Sequence, residues 1–141
     1  MYQKVKDFLL HHTISVVSIM DLEGYPHSAA LHYAFDPDSF TFYFFTSKNS
    51  HKAQTLVNGE IVKASVVIGF SDKEWITIQM EGKIHMGILP DEVFNAQALF
   101  YVKFPSADKT ADIIPLIFKP SFWKYTDYSK KPWEITTSKD Q

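Results

Sequence analysis

The sequence predicts a mainly β protein, an antiparallel barrel or sandwich with two or three helices. About six stretches are rich in β-branched and aromatic residues or alternate apolar with polar residues, as strands do. Aromatic residues make up 16% of the 141 residues, including 12 Phe, and such residues favour strands, interfaces and ligand pockets. No repeated strand–helix–strand alternation is visible, so a parallel sheet is not expected.

The first third of the chain predicts one helix followed by three strands. The apolar residues of the first segment have helical spacing: Tyr2, Val5, Phe8 and Leu9. His11 and His12 are expected to close this helix, where histidine is favourable. Strands are predicted over 14–20, 26–35 and 40–46, with turn residues at 21–24 and 36–39, which gives a meander of two hairpins.

The remainder predicts two further helices and more strands. Ser50 is a candidate N-cap, and a short apolar stripe follows it: Ala53, Leu56 and Val57. Strands are predicted over 61–68 and 75–88. A helix begins at Pro90 and ends near Pro105, and four apolar residues are predicted to share its buried face: Phe94, Ala98, Leu99 and Val102. Two separate strand segments follow, at 116–118 and 122–128.

Composition excludes several classes of protein. The chain has no cysteine, so disulfides, thiolate metal sites and cysteine nucleophiles are excluded. A net charge of −2 gives no reason to expect nucleic acid or an anionic membrane as a partner. No apolar run approaches the roughly 20 residues of a membrane span, and the N-terminus lacks a signal-peptide pattern. We therefore expect one domain over residues 1–141, located in the cytoplasm.

Polar residues suited to an anion gather where the third strand leads into the second helix. Thr46, Ser47 and Ser50 can each donate a hydrogen bond to a phosphate oxygen, and Lys52 supplies a positive charge. A helix start also presents unpaired N–H groups. The same residues could equally form a capped surface helix with solvated side chains, and the pattern alone does not exclude this alternative.

This stretch resembles the phosphate-binding segment of the FMN-binding split-barrel family, which includes pyridoxamine 5′-phosphate oxidase. In that family an aromatic-rich strand ends in a Tyr-Thr pair and a Ser-Arg-Lys triplet follows. The matching residues here are Phe45-Thr46 and Ser50-His51-Lys52, and Glu81-Gly82-Lys83-Ile84 resembles the family's glycine-containing long strand. The resemblance covers roughly residues 8–87.

The resemblance implies an antiparallel split barrel, FMN as cofactor and a homodimer that builds each flavin site between two subunits. Four residues would hold the FMN phosphate: Thr46, Ser50, His51 and Lys52. Four residues of the second strand would line the isoalloxazine: Ala29, Ala30, Leu31 and His32. Thr77 falls where the family places a flavin-contacting glutamine, and Gln79 projects to the same face.

The chain also departs from the family's pattern. His51 replaces an arginine, so one permanent charge is lost. The two cations that the oxidase keeps on its second strand are matched by Ala29 and Ala34, and its C-terminal Arg-x-His signature is absent from residues 129–137. We therefore expect that the protein is not an efficient pyridoxamine 5′-phosphate oxidase. Phe104-Pro105 resembles a feature of small uncharacterised bacterial members.

Other residue types give weaker signals. The six histidines show no metal-ligand spacing, so no dedicated metal site is expected, although haem stays open because one histidine can suffice. Glu81 lies in an otherwise apolar strand, and the alternation of residues along the strand places it with Thr77 and Gln79 on the face opposite the core. The three tryptophans are expected in core or dimer packing, and one of Trp123 and Trp133 could cover the flavin ring.

Three hypotheses for function follow. The first is an FMN-dependent oxidoreductase acting on an unidentified small substrate. The second is a non-catalytic protein of the same fold that binds flavin or haem. The third is a dimeric interaction module without a cofactor, which the presence of Thr46, Ser50 and Lys52 disfavours. No paired carboxylates or Ser-His-Asp pattern stands out, so no catalytic acid or base is assigned.

Overall fold

The computed structural model describes residues 2–140, which form seven strands and three α-helices. Their bounds in chain order are α1 Tyr2–His11, β1 Ile14–Met20, β2 Pro26–Asp36, β3 Thr41–Ser47, α2 His51–Leu56, β4 Val62–Gly69, β5 Ile76–Met86, α3 Pro90–Lys103, β6 Ile113–Asp127 and β7 Glu134–Thr137, followed by a 3-10 turn at Ser138–Asp140. The elements predicted from the sequence are present, and β7 is an additional strand.

The strands form an antiparallel barrel. Their order is β3-β2-β1-β4-β5-β6-β7, and β3 also pairs with β6. This last pairing closes six strands into a ring, with β7 added along the end of β6. Closure leaves no free edge between the first and last strands of the ring. The predicted mainly β barrel is confirmed.

Large side chains fill the barrel interior. The largest fully buried residues are aromatic: Tyr33, Phe42, Phe44 and Phe118. α1 covers one end of the barrel with Val5, Phe8 and Leu9. The hydroxyl of Tyr33 donates to the carbonyl oxygen of Leu9 at 2.6 Å, and burial raises the pKa of this phenol. Much of the aromatic content therefore belongs to the core.

β2 and β3 separate along half of their length. They pair only between 33–36 and 41–44, and beyond this point β3 pairs with β6 alone. Residues 26–32 of β2 thus have β1 on one side and no strand partner on the other. The Tyr33 N–H donates to Thr13 of the β1 side, so by strand alternation the N–H groups of Ala30 and His32 point to the unpaired side.

The C-terminal strand differs from the sequence prediction. β6 runs without interruption from Ile113 to Asp127, where the sequence predicted two segments. The register against β5 shifts at Glu81/Gly82, where a bulge accommodates Ser121, the unpaired residue between Pro120 and Phe122. A Cβ at Gly82 would lie 2.2 Å from the Lys119 carbonyl oxygen. The strand stays continuous because only glycine permits this close approach.

The predicted buried face of α3 was wrong. The helix buries Ala96 and Phe100 against β2, β3 and β6. Phe94 is 69% exposed and Val102 is 83% exposed, and Ala98 is exposed as well. Leu99 alone of the four predicted residues is half-buried and packs against the cluster of Tyr43, Ala96 and Ile117. Phe94, Ala98 and Val102 do share a face, but that face is turned away from the barrel. Likewise Val57, which we expected in the α2 stripe, is exposed, whereas Ala53 and Leu56 are buried.

Within residues 2–140, no helix is both long enough and apolar enough to cross a membrane.

Candidate functional site

The turn between β3 and α2 brings two of the predicted phosphate ligands together. The hydroxyl of Thr46 donates to Ser50 Oγ at 3.2 Å. Ser50 caps α2, and its Oγ accepts a hydrogen bond from the Ala53 N–H at 3.2 Å. Because Ser50 Oγ accepts from two donors, its own proton remains available for an acceptor outside the turn. The arrangement therefore presents one hydroxyl donor at the start of α2.

Lys52 follows Ser50 by two residues, in the first turn of α2, and is nearly buried. Only 7% of the residue is exposed, and burial lowers the pKa of its ammonium group below the usual 10.5. No carboxylate lies within ion-pair distance of its Nζ in the described part of the chain, although Lys4, Lys48 and Lys130 all have such partners. Removing a cation even partly from water without a counter-ion is unfavourable, and a bound anion would offset that loss of solvation.

His51 makes contacts towards the β1–β2 hairpin. Its Nε2 lies 3.2 Å from the Asp21 carboxylate, and its ring stacks on His27 of β2. Hydrogen bonds lower the pKa of the Asp21 carboxyl. The largest contribution comes from the backbone N–H of Tyr25, and the bond to His51 is among the smaller ones. His51 therefore joins α2 to β2 across the gap between β2 and β3. Its predicted role as a phosphate ligand stays a prediction.

Ser47 shapes the turn. Its Oγ accepts a hydrogen bond from the Asn49 N–H at 3.2 Å, and its carbonyl oxygen accepts one from the Ser50 N–H at 2.9 Å. The next residue, Lys48, is exposed and pairs with Asp112 at 3.2 Å. These bonds hold the loop in the conformation from which α2 starts, with Ser50 at its N-cap and Lys52 in its first turn.

The four predicted residues of β2 divide between two faces. Ala30 and His32 lie opposite Val16 and Ile14 of β1, on the outer face of the sheet. Ala29 and Leu31 lie on the other face, where Leu31 packs against the core. All four belong to the segment of β2 that lacks a partner on its β3 side. His32 also packs edge-on to Phe104 at the end of α3, in a concavity of about 420 Å³ shared with Phe100 and Lys103.

Thr77 and Gln79 lie at the other end of the barrel in this chain, on β5. Gln79 is exposed, between Val67 of β4 and Lys124 of β6. Thr77, predicted to share the face of Gln79 opposite the core, is buried, and its hydroxyl donates to the Ile68 carbonyl oxygen at 3.2 Å. The single chain does not bring these two residues to the turn that holds Lys52.

An aromatic groove covers Thr77. Its volume is about 500 Å³, and its walls are Phe70, Trp75, Tyr128, Trp133 and the side chain of Lys131. Trp75 and Trp133 each expose about half of their surface, and neighbouring rings pack within 4.7 to 6.4 Å. Trp123, by contrast, is buried in the core and stacks on Tyr2 and Phe40. Of the two candidates, only Trp133 is exposed to a ligand.

The charges available for anion binding are all lysines. The chain has 14 basic residues, all lysine and none arginine, so no bidentate guanidinium grip on a phosphate is possible. Within 2–140, no group of three histidine, aspartate or glutamate side chains is suited to a metal ion. At the turn from Thr46 to Lys52, called the Lys52 turn below, an anion would therefore meet lysine charge and hydroxyl donors.

A six-stranded antiparallel barrel in which β2 and β3 separate along half of their length defines a split-barrel protein. Residues 1–98 match the family model described as pyridoxamine 5′-phosphate oxidase. Because the match covers more than half of the chain, the protein belongs to the pyridoxamine 5′-phosphate oxidase family. The family that the sequence motifs suggested is confirmed.

Solved structures with the same fold include an FMN-binding protein, a heme binding protein and a protein related to a general stress protein. A pyridoxamine 5′-phosphate oxidase-related, FMN-binding protein from Nostoc punctiforme has a TM-score of 0.71 at 14% identity, covering 97% of this chain and 95% of that one. A heme binding protein from Mycobacterium smegmatis has a TM-score of 0.73 at 12% identity, covering 99% of this chain and 58% of that one. A protein from Clostridium acetobutylicum related to general stress protein 26 has a TM-score of 0.69 at 14% identity, with coverage of 99% and 95%. At these identities the likeness shows a shared fold. Among curated proteins, no match is found.

Proposed function

We propose that this protein binds FMN as a homodimer and acts as a flavin-dependent oxidoreductase on a small substrate. The observation that carries the proposal is Lys52, a nearly buried cation without a carboxylate partner in the described residues. It lies in the segment where the family to which the chain belongs is expected to hold the FMN phosphate. A relative of the same fold is described as FMN-binding.

The Lys52 turn fits a phosphate group. The ammonium group would supply charge, Ser50 would donate its free hydroxyl proton, and Thr46 would orient that hydroxyl. Hydrogen bonds to charged groups contribute about 1.5–3 kcal/mol each, whereas neutral ones contribute about 0.5–1.5 kcal/mol. Because α2 has only six residues, its dipole adds little, and the lysine charge is the main attraction.

The unpaired edge of β2 fits the polar rim of an isoalloxazine ring. N–H groups of Ala30 and His32 point away from β1 on this edge. Such groups are obligatory hydrogen-bond donors, and a ring with carbonyl and imine acceptors would pair with them. Ala29 and Ala30 have small side chains that leave the edge accessible. These features support the assignment of residues 29–32 to the flavin ring.

A second copy of the chain would complete the site. In one chain the Lys52 turn and the aromatic groove that contains Thr77 and Trp133 lie at opposite ends of the barrel. The outer face of β1 and β4 exposes an apolar surface made of Ile14, Val16, Met20 and Val67. Apolar patches on a soluble protein indicate an interface. A two-fold pairing would cover this surface and would allow the groove of one copy to face the turn of the other.

Bound FMN would supply hydride-transfer chemistry, and the residues of this chain would position it and exclude water. A grip on a second phosphate, as in pyridoxamine 5′-phosphate, would need cations on β2. Position 29 holds alanine, and Ala34 is buried in the barrel. With no arginine anywhere in the chain, we propose that efficient pyridoxamine 5′-phosphate oxidation is absent and that the substrate is another small molecule.

The test is a comparison of FMN with riboflavin. Purified protein is titrated with each ligand and flavin fluorescence is recorded. We expect FMN to bind at least tenfold more tightly, because riboflavin lacks the phosphate. Equal affinities would show that the turn from Thr46 to Lys52 is not a phosphate site. Oxidation of pyridoxamine 5′-phosphate by FMN-loaded protein at the rate of a dedicated oxidase would overturn the substrate proposal.

Non-catalytic haem binding is the second candidate, and one observation favours it. His32 lies in a concavity walled by Phe100 and Phe104, which suits one axial histidine beside an apolar macrocycle. A neighbour of the same fold is described as heme-binding. The absorption spectrum separates the two candidates, since haem gives a Soret band and flavin gives its own two bands. A Soret band lost in His32→Ala would favour haem.

A further inference from the structure

Three lysines lie side by side on adjacent strands at the far side of the barrel from α1. Lys63 of β4 is directly opposite Lys83 of β5, and Lys83 is directly opposite Lys119 of β6. All three are exposed. Residues directly opposite each other in a sheet project from the same face, with Cβ atoms about 4.5–5.5 Å apart. The three side chains therefore form a lysine row that spans about 10 Å.

The protein offsets the positive charge of the lysine row only in part, through the Glu81 carboxylate, which lines a concavity together with the three lysines. Like charges directly opposite each other destabilise a sheet. None of the three lysines has an ion pair or a hydrogen bond from its ammonium group among the residues that the structure describes. Glu81 lies on the same face two residues before Lys83, yet it forms no ion pair with it. The chain as a whole has a net charge of −2, so this positive charge is local.

The lysine row lines a concavity on the outer face of β4, β5 and β6. Its volume is about 940 Å³, within the range of small-molecule sites. Three hydroxyls also line it: Ser18, Ser65 and Ser121. Ser18 is bonded to Ser28 at 2.6 Å and Ser121 donates to the Glu81 carbonyl oxygen at 3.2 Å. The hydroxyl of Ser65, between them on β4, is available as a donor.

The backbone beneath the lysine row is held in place. A Cβ at Gly82 would lie 2.2 Å from the Lys119 carbonyl oxygen, so β5 and β6 approach closely at this point. The bulge at Glu81/Gly82 sets the register that places Lys83 opposite Lys119. Bulges of this kind re-aim side chains next to functional sites. The row is thus a consequence of a specific register rather than of flexible loops.

We propose that the lysine row binds a small molecule that carries a diphosphate or triphosphate group. A single phosphate would engage one or two of the lysines, whereas a chain of two or three phosphates can engage all three along the row. Lysine binds phosphate as a point charge. The concave shape fits a small molecule rather than a membrane or a duplex. The lining does not include Lys52, so this site is distinct from the proposed FMN phosphate site. It does include Met20, so it borders the apolar surface that the proposed homodimer would cover.

Titration calorimetry with inorganic tripolyphosphate, with and without saturating FMN, tests the proposal. We expect binding in both cases, weakened by salt because counter-ions are displaced. Lys83→Gln should raise the dissociation constant at least tenfold. Lys73→Gln is the matched control, since Lys73 is exposed on the β4–β5 turn outside the concavity, and it should change the constant less than twofold. Because tripolyphosphate could also occupy the Lys52 turn in FMN-free protein, Lys83→Gln and Lys73→Gln are compared at saturating FMN.

Thermal unfolding gives a second test, in which the ligand reverses the order of the melting temperatures of the native protein and Lys83→Gln. Without ligand, Lys83→Gln should melt at a higher temperature than the native protein, because it removes like-charge repulsion. With saturating tripolyphosphate, the native protein should gain more and melt higher than the variant. Equal binding by Lys83→Gln and Lys73→Gln, or loss of binding only in Lys52→Ala, would overturn the proposal. A native protein that does not bind tripolyphosphate would also overturn the proposal. This would include the case in which a second copy of the chain covers the lysine row, which a dimer that dissociates in Lys83→Gln would reveal.

Discussion

The imidazole rings of His27 and His51 stack with their centroids 4.4 Å apart and their planes at 25°. This contact bridges the gap between β2 and α2, and the Asp21 carboxylate 3.2 Å from His51 reinforces it. A helix of six residues is not stable by itself and depends on such tertiary contacts. The histidine pair therefore positions the turn that holds Ser50 and Lys52.

A double-mutant cycle of His27→Ala and His51→Ala measures this contact. Stacked aromatic pairs contribute about 0.5–1.5 kcal/mol beyond their buried area, so the coupling energy from denaturant unfolding should fall in that range. FMN affinity should weaken several-fold in each single variant because the turn loosens. A coupling energy near zero would show that the two rings contribute nothing to holding α2.

Lys52→Ala should weaken FMN binding ten- to hundredfold. Losing a charge-assisted hydrogen bond costs about 1.5–3 kcal/mol, whereas Ser50→Ala should cost about 0.5–1.5 kcal/mol. Lys48→Ala is the matched control, because Lys48 is exposed and already paired with Asp112. Riboflavin affinity should be indifferent to Lys52. The proposal fails if Lys48→Ala and Lys52→Ala have the same effect on FMN titrations.

FMN affinity should also fall at alkaline pH. Burial lowers the pKa of Lys52 in the free protein, so the ammonium group loses its proton below the usual 10.5 and no longer attracts the phosphate. A bound phosphate favours the charged form and opposes this loss. The fall should be absent in Lys52→Ala. Titrations from pH 7 to pH 10 in both proteins provide the measurement.

Lys103 should make the native fold more stable as pH rises from about 8 to 10.5. Its amine donates to the His12 carbonyl oxygen and lies 4.4 Å from the Tyr33 ring centre, and burial lowers its pKa to about 8. The unfolded chain therefore binds more protons across this range, so the free energy of unfolding increases with pH. Allowing for solvent screening of a half-buried group, the gain is about 1 kcal/mol. Relative to Lys103→Met, the native protein should gain stability in urea unfolding between these pH values; a constant difference would contradict the prediction.

Gly82→Ala should destabilise the barrel by more than about 2 kcal/mol, because the new methyl group meets the backbone of Lys119. Gly24→Ala is the control for backbone conformation. Gly24 has a φ of +87° but nothing within 4 Å of a new Cβ, so its cost should be about 1 kcal/mol. Calorimetric melting of both variants separates the steric effect from the conformational one. Equal losses would mean that the close strand approach is unimportant.

Val16→Asp should weaken the proposed homodimer at least tenfold. Val16 is 42% exposed on the outer face of β1, within the apolar surface shared with Val67. A buried unpaired carboxylate is costly at an interface. Val102→Asp, on the exposed face of α3, should leave the dimer intact. Light scattering coupled to size exclusion distinguishes these outcomes, and a native protein that is monomeric would contradict the prediction outright.

Local sequence patterns were sufficient for most of the fold. Alternation and β-branched content located β1 to β5, and helical spacing located α1 and α3, because these signals depend on neighbours within a few residues. The segment from Thr46 to Lys52 was recognisable for the same reason: its cap, hydroxyls and lysine are consecutive in the chain. The family followed from that segment and is confirmed by the match over residues 1–98.

Only the tertiary structure decided which surfaces meet. The spacing of Phe94, Ala98 and Val102 shows that they share a face, but whether that face is buried depends on how α3 docks, and it docks through Ala96 and Phe100. The three lysines of the row are far apart in sequence, by 20 residues from Lys63 to Lys83 and by 36 from Lys83 to Lys119. They are aligned because of the strand register that the bulge at Gly82 sets. Strand register is a property of paired strands, so no single stretch of sequence contains it.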